Sequence, residues 1–295
     1  MHNNVEKATI NGTNTSFTIN NYGAELCSVK DKLTDYEFMW QADPKIWPRH
    51  APVLFPFVGK TAQNQFLHCG KLHPIGQHGF ARDNKFEITE LYTDLVTFTL
   101  RGDSERFPQY PFEFIFNICY QVIGDDLKIS YKTYNIGNGD MYFSVGAHPG
   151  FALPVSNLSE YVIEFNEKEN LEAHLLVEGL FDGNTSNILE NKSELYLSKE
   201  LFEKDALVFK NLKSKFIKLK HLNSNFSIEM DISQFPYLGI WAKVPCEDFI
   251  CLEPWQGLAD KVDFKGEISE REGIVKLAPG AEHELSYTIG FQSPI

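Results

Sequence analysis

The chain has 295 residues, 43% of them hydrophobic and 14% aromatic, which is ample for a sizeable core. Its formal charge of −13 at pH 7 argues against nucleic acid or an anionic membrane surface as the main partner, since both call for a basic footprint. Five cysteines (27, 69, 119, 246 and 251) without a CxxC, a start lacking basic and apolar signal regions, and no run near the roughly 18 apolar residues of a membrane span predict a reduced, cytoplasmic setting.

Along the chain, period-2 alternation with β-branched and aromatic residues recurs almost end to end. It predicts strands at 7–10 and 16–20, joined through the hairpin signal Asn11-Gly12, then at 24–30, 36–40, 86–91, 95–101, 112–122, 127–134, 141–147 and 160–165. A second series follows at 195–197, 206–210, 215–222, 226–231, 238–243, 248–253 and 284–291. One amphipathic window, 171–180, reads as helix, and the polar stretch 182–194 reads as an excursion loop. Many short strands without intervening helices predict an all-β fold, a large antiparallel sandwich, with residues 1–295 forming one domain. Monomer and homodimer are both compatible with these features.

Two segments concentrate the chemistry. In Phe249-Ile250-Cys251-Leu252-Glu253-Pro254-Trp255 the residues before Glu253 are apolar, so both strand faces read as buried and the carboxylate as desolvated. Desolvation raises a carboxyl pKa and strengthens the base that forms on ionisation. In Gly146-Ala147-His148-Pro149-Gly150-Phe151, His148 ends a strand-like run and shares a face with Tyr142, Ser144 and Gly146, whose small members leave room for a ligand. Each ionisable side chain precedes a proline, which holds it on extended, poorly adjustable backbone. Taken singly, a strand-end Glu is usually an ion pair and a strand-end His a satisfied half-buried group. As a pair they read as acid and base.

His78, in Gly76-Gln77-His78-Gly79-Phe80-Ala81-Arg82, is a third candidate, because the flanking glycines permit a tight turn that exposes the imidazole. Arg82 offers a planar fork for hydroxyls or an anion. Arginine is rare here (49, 82, 101, 106 and 271), and Arg49 and Lys60 flank another unusual stretch, Ala51-Pro52-Val53-Leu54-Phe55-Pro56. Ordinary surface solubility is the default reading of Arg49, Lys60 and Arg82 taken one at a time.

Together these segments resemble the aldose 1-epimerase (galactose mutarotase-like) superfamily, and within it the LacX-like branch. The resemblance rests on Gly23-Ala24 through Trp40, Trp47-x-Arg49-x-Ala51-Pro52-x-Leu54-Phe55-Pro56, His78-Gly79-Phe80-Ala81-Arg82, His148-Pro149-x-Phe151 and Glu253-Pro254-Trp255-x-Gly257-x-Ala259-Asp260, in that order. It implies a β-supersandwich without an obligatory metal or cofactor, and a small-molecule sugar as partner. It implies Glu253 as general base, His148 as general acid and His78 as an auxiliary hydrogen-bond donor. Asp205 looks like the family's sugar-hydroxyl-binding aspartate, and Trp255 would supply an apolar wall. Lys60 departs from the arginine expected after the Phe-Pro-x-x-Gly segment, a point charge in place of a fork.

The implied reaction is mutarotation of a free hexose. Glu253 takes the O1 proton while protonated His148 gives one to the ring oxygen, and the open aldehyde then rotates and recloses. The nearest rival keeps that chemistry on a hexose 6-phosphate, with Arg49, Lys60 and Arg82 forming a phosphate pocket. A binding or sensing protein of the same fold would not need an acid/base pair. A glycoside hydrolase would want two carboxylates. A metal-dependent cupin-like enzyme fits poorly, since no His-x-His occurs and His73 and His78 are five apart.

Overall fold

The computed structural model describes residues 6–294. Among these the chain forms strands, turns and five short 3-10 segments, with no α-helix, and no helix is long and apolar enough to cross a membrane. The first strands are β1 (Lys7–Asn11), β2 (Thr15–Asn20), β3 (Glu25–Asp31), β4 (Gln65–His68), β5 (Lys71–Pro74), β6 (Glu87–Leu91) and β7 (Leu95–Gly102). Then come β8 (Phe114–Ile123), β9 (Asp126–Asn135), β10 (Met141–Phe143), β11 (Val145–Gly146), β12 (Gly150–Ala152), β13 (Tyr161–Val177) and β14 (Leu180–Tyr196). The last are β15 (Leu207–Lys210), β16 (Phe216–His221), β17 (Ser227–Asp231), β18 (Tyr237–Trp241), β19 (Phe249–Gln256), β20 (Val275–Leu277) and β21 (Glu282–Gln292).

Fourteen strands make one antiparallel sheet, ordered β11-β19-β18-β15-β13-β16-β17-β21-β9-β8-β7-β6, with β12 also on β19 and β14 on β13. A three-stranded sheet, β1-β2-β3, and the pairs β4-β5 and β10-β20 complete the pairing. Alternation explains most of it. In Phe114–Ile123 every second side chain, from Phe114 to Val122, is buried, and Leu127 to Asn135 on β9 repeat the pattern across a two-residue turn. β19 differs, because Phe249 to Trp255 are all buried. A strand covered on both faces cannot alternate, so its sequence is a continuous apolar run with Glu253 set inside it.

Three expectations are corrected. Residues 36–40 contribute only isolated bridges, Lys30 with Glu37 and Met39 with Phe151. The window 171–180 is not a helix: it spans the end of β13 and the turn into β14, and Glu169, Leu171 and Ala173 point inward with period 2. The polar stretch 182–194 is not a loop but most of β14. Its polarity reflects exposure: β14 pairs only with β13 among the described strands, through several register shifts, so most of its residues face water.

Candidate active site

One register builds the centre of the site. On β19, Trp255 pairs with Gly146 of β11 and Cys251 with Gly150 of β12, and both pairs obey the same antiparallel offset. Continuing that offset across the unpaired residues 147–149 sets His148 opposite Glu253. The Ala147 N–H still donates to the Pro254 carbonyl, at 3.1 Å, so the chain leaves the ladder only around His148 and Pro149. His148 Nε2 lies 3.3 Å from Glu253 Oε2, and Glu253 is 1% exposed.

Trp255 explains the small residues of this region. A side chain on Gly146 would meet its indole at 2.6 Å, and one on Gly239 would meet it at 2.7 Å. The space expected to serve a ligand beside His148 is thus partly filled by the indole, whose N–H donates to the Ala147 carbonyl at 3.2 Å. On the other side Trp47 stacks on His148, with ring centroids 5.0 Å apart, and Trp241 meets it edge-on at 5.8 Å.

These groups open on a cavity of about 280 Å³. His78, Arg82, His148, Asp205, Glu253 and Trp255 all line it. His78 sits in the left-handed region at φ 65°, a conformation non-glycine residues rarely hold, and its ring centroid lies 5.8 Å from that of His148. The Gly59 N–H donates to His78 Nδ1 at 3.2 Å, so the ring proton sits on Nε2. Arg82 donates from Nη2 to the Gln77 carbonyl at 2.9 Å. Asp205 is held at φ 89°, its Oδ1 accepting from the Ala206 N–H.

Arg49 and Lys60 are engaged outside this wall. Arg49 pairs with Asp83 at 2.5 Å and donates to the Arg82 carbonyl at 3.3 Å, so it supports Arg82 from behind. Lys60 donates to the Glu178 carbonyl at 3.0 Å. The sequence reading left out Trp47, Trp241, Gln77 and Lys243, which also line the cavity. Trp47 and Gln77 fall in segments quoted above and are open to detection; Trp241 and Lys243 carry no sequence signal that separates them from ordinary strand and loop residues.

Electrostatics sets the protons. Burial, reinforced by Asp205, drives the Glu253 carboxyl well above its ordinary range. Burial, with the charge of Arg82, pushes the His148 imidazole down to about 3. Burial likewise holds His78 well below 6.5, with His148 and Arg82 adding to it. Burial thus disfavours the charged form of each member, the carboxylate of Glu253 and the imidazolium of His148. Low-dielectric walls disfavour the charge-separated form until a polar ligand enters. Five buried side-chain polar atoms lack a hydrogen bond among the described residues, and three of them belong to residues of this cavity: Arg82 Nε, which lies 3.8 Å from Asp83 Oδ2, His148 Nδ1, and Glu253 Oε2. Buried polar atoms are nearly always partnered, so this concentration marks a place that awaits a polar ligand.

His148, Cys251 and Glu253 each place a donor atom within 4.8 Å of the others. Burial pushes both the Cys251 thiol and the Glu253 carboxyl well up.

An all-β sheet whose cleft gathers a buried glutamate, two histidines, an arginine, an aspartate and tryptophans has the build of a carbohydrate-handling protein. The chain belongs to the aldose 1-epimerase family, whose model matches residues 6–276. Among curated relatives it is 30% identical over 279 residues to the plasmid-encoded protein LacX of Lactococcus lactis subsp. lactis, covering 90% of this chain and 93% of that one. Among solved structures it is similar to a galactose mutarotase related enzyme from Lactobacillus acidophilus, with a TM-score of 0.93, 34% identity and 98% of each chain covered. A galactose mutarotase-like protein from Lactobacillus casei ATCC 334 superposes with a TM-score of 0.92 at 29% identity, covering 97% of this chain and all of that one. The galactose mutarotase-like fold expected from the sequence is thus the one observed.

Proposed function

We propose that this protein is an aldose 1-epimerase that interconverts the α and β anomers of a free hexose by acid/base ring opening. The observation that carries the reading is the His148–Glu253 contact at 3.3 Å inside a cavity where both side chains keep an unpartnered atom. A sugar C1 hydroxyl and ring oxygen supply the missing partners. Glu253 acts as the base at O1 and His148 as the acid at O5, with the roles reversed on closure. Burial disfavours the charged forms of both groups, and the hydroxyls of a bound sugar offset this by solvating the pair. Such catalysis contributes about 10²–10⁴-fold in rate. His78, with Nε2 as donor, Arg82 and Asp205 hold ring hydroxyls, and Trp255 covers a C–H face. All five cysteines are unpaired, as a reducing cytoplasm would keep them.

A second reading, a hexose 6-phosphate as substrate, draws on Arg82, whose Nε makes no hydrogen bond and only a 3.8 Å contact with Asp83 Oδ2. It is weakened by Arg49 and Lys60, whose charged ends are committed to Asp83 and to the Glu178 carbonyl. Polarimetry on freshly dissolved α-D-glucose and α-D-galactose, beside an anomer-specific coupled assay on glucose 6-phosphate, separates the two. Acceleration confined to the phosphosugar, with a salt-sensitive KM, overturns the first reading. No acceleration of any sugar by folded protein overturns both.

A further inference from the structure

We propose that Lys60 is a positioning residue for sugar binding: its ammonium clamps the tip of the β13–β14 hairpin, and that tip forms the part of the cavity wall which sets how tightly the sugar is held. The inference rests on the sugar-epimerase reading above and deepens it.

The hairpin turns through Glu178 and Gly179, both left-handed at φ 52° and 81°, between the paired residues Val177 and Leu180. This is the two-residue turn whose twist suits a hairpin, and glycine is the natural occupant of its second position. Gly179 of the turn, with Leu176 and Phe181 on either side of it, lines the cavity. A two-stranded ribbon is marginal by itself, and β14 pairs with nothing but β13 among the described strands. The tip therefore depends on what it touches.

The contacts fall on two anchors. At Phe181 the backbone is tied to the segment after β19: its N–H donates to the Asp260 carbonyl at 2.9 Å, and its carbonyl accepts from Val262 at 3.0 Å. Its ring packs in the apolar cluster of Leu54, Val58, Val208, Trp255 and Leu258. At the turn itself the anchor is Lys60, whose Nζ donates to the Glu178 carbonyl at 3.0 Å. A charged donor strengthens that bond over a neutral one.

The stem of Lys60 also shapes the wall. A Cβ on Gly179 would lie 3.4 Å from Lys60 Cδ and 3.8 Å from Gln77 Nε2, so both side chains stand about one carbon's width from the turn backbone. The Gln77 side-chain amide also lies 3.2 Å from His78 Nε2, but with the ring proton on Nε2 the two nitrogens are both donors and form no hydrogen bond. Lys60 thus acts on the cavity through the turn it holds, whose Gly179 lines the wall. Lys60 touches neither His148 nor Glu253 in this arrangement, so the clamp acts on binding and not on proton transfer.

The test compares Lys60→Met, which keeps the stem and removes the charge, with Lys60→Arg, which restores a donor. KM and kcat come from polarimetry, Kd from the fluorescence of the cavity tryptophans with galactose, and amide exchange is followed over residues 176–181. Losing the clamp should raise KM and Kd about tenfold, the loss of roughly one charge-assisted hydrogen bond. It should leave kcat within about twofold and speed exchange at the tip, and Lys60→Arg should recover all three. Unchanged exchange at 176–181, unchanged Kd, or a kcat that falls as far as kcat/KM overturns the proposal. Absence of turnover in the wild type would instead defeat the epimerase reading, while exchange and Kd still decide the clamp.

Discussion

His148 and Glu253 face each other across a single antiparallel ladder, Nε2 to Oε2 at 3.3 Å, close enough for their charges to couple although Oε2 has no hydrogen-bond partner. Carboxylic acid with imidazole and carboxylate with imidazolium are two placements of one proton at the same total charge. Their titration belongs to the pair.

The pH dependence of kcat/KM follows. Activity is expected to hold through neutral pH and to fall on the acid side only as pH drops toward about 3, where His148 takes a second proton. An acid limb centred on 6.5, the ordinary imidazole value, would show that His148 is solvated and would remove it from the site as described.

Glu253→Gln should lower turnover by at least about 10²-fold, with galactose still quenching tryptophan fluorescence. The same variant should be more stable than the wild type at pH 7. A carboxyl raised in the folded state favours folding below its unfolded pKa, and that advantage is lost as pH rises toward the folded value. Glutamine carries no such penalty, so Tm should rise by at least ~2 °C at pH 7, with the difference shrinking toward pH 4. Equal Tm values at both pH values would mean the carboxyl is not desolvated.

Trp47→Ala tests the wall over His148. Removing a ring stacked at 5.0 Å lets water reach the imidazole, whose pKa should climb from about 3 toward 6.5. An NMR titration of the His148 ring reads this directly, and a pKa that stays put would assign the depression to Arg82 in place of burial.

Support for the loop after Glu253 comes from a buried ion pair. Arg271 Nε meets Asp260 Oδ1 at 2.5 Å with both side chains nearly inaccessible, and the Asp260 Oδ2 accepts from the Ala62 N–H. Asp260→Ala leaves the guanidinium buried and uncompensated, which typically costs about 3–5 kcal/mol. Chemical denaturation should register that loss. A change below ~1 kcal/mol would mean that Arg271 finds water once its partner is gone.

Much of this protein was written locally. Alternation in segments such as Phe114–Ile123 marks strands because a half-buried sheet imposes period 2, and the unbroken apolar run before Glu253 marks a strand buried on both faces. The His-Pro and Glu-Pro segments and the His78 turn state their own backbone requirements, yet the imidazole that the turn is expected to expose is buried, because the turn folds into the cavity wall. The β13–β14 hairpin was not legible, because a ribbon exposed along most of its length carries no apolar pattern to reveal it. Nor could local sequence say which cations face the cavity, since Arg49 and Lys60 are diverted by Asp83 and the Glu178 carbonyl, partners 34 and 118 residues away. The proton of the His148–Glu253 pair likewise depends on walls that come from distant strands, the tryptophans at 47 and 241 and the charge of Arg82. Residue types and backbone demands are properties of short segments; register, burial and the commitment of a charge are set only when remote segments meet.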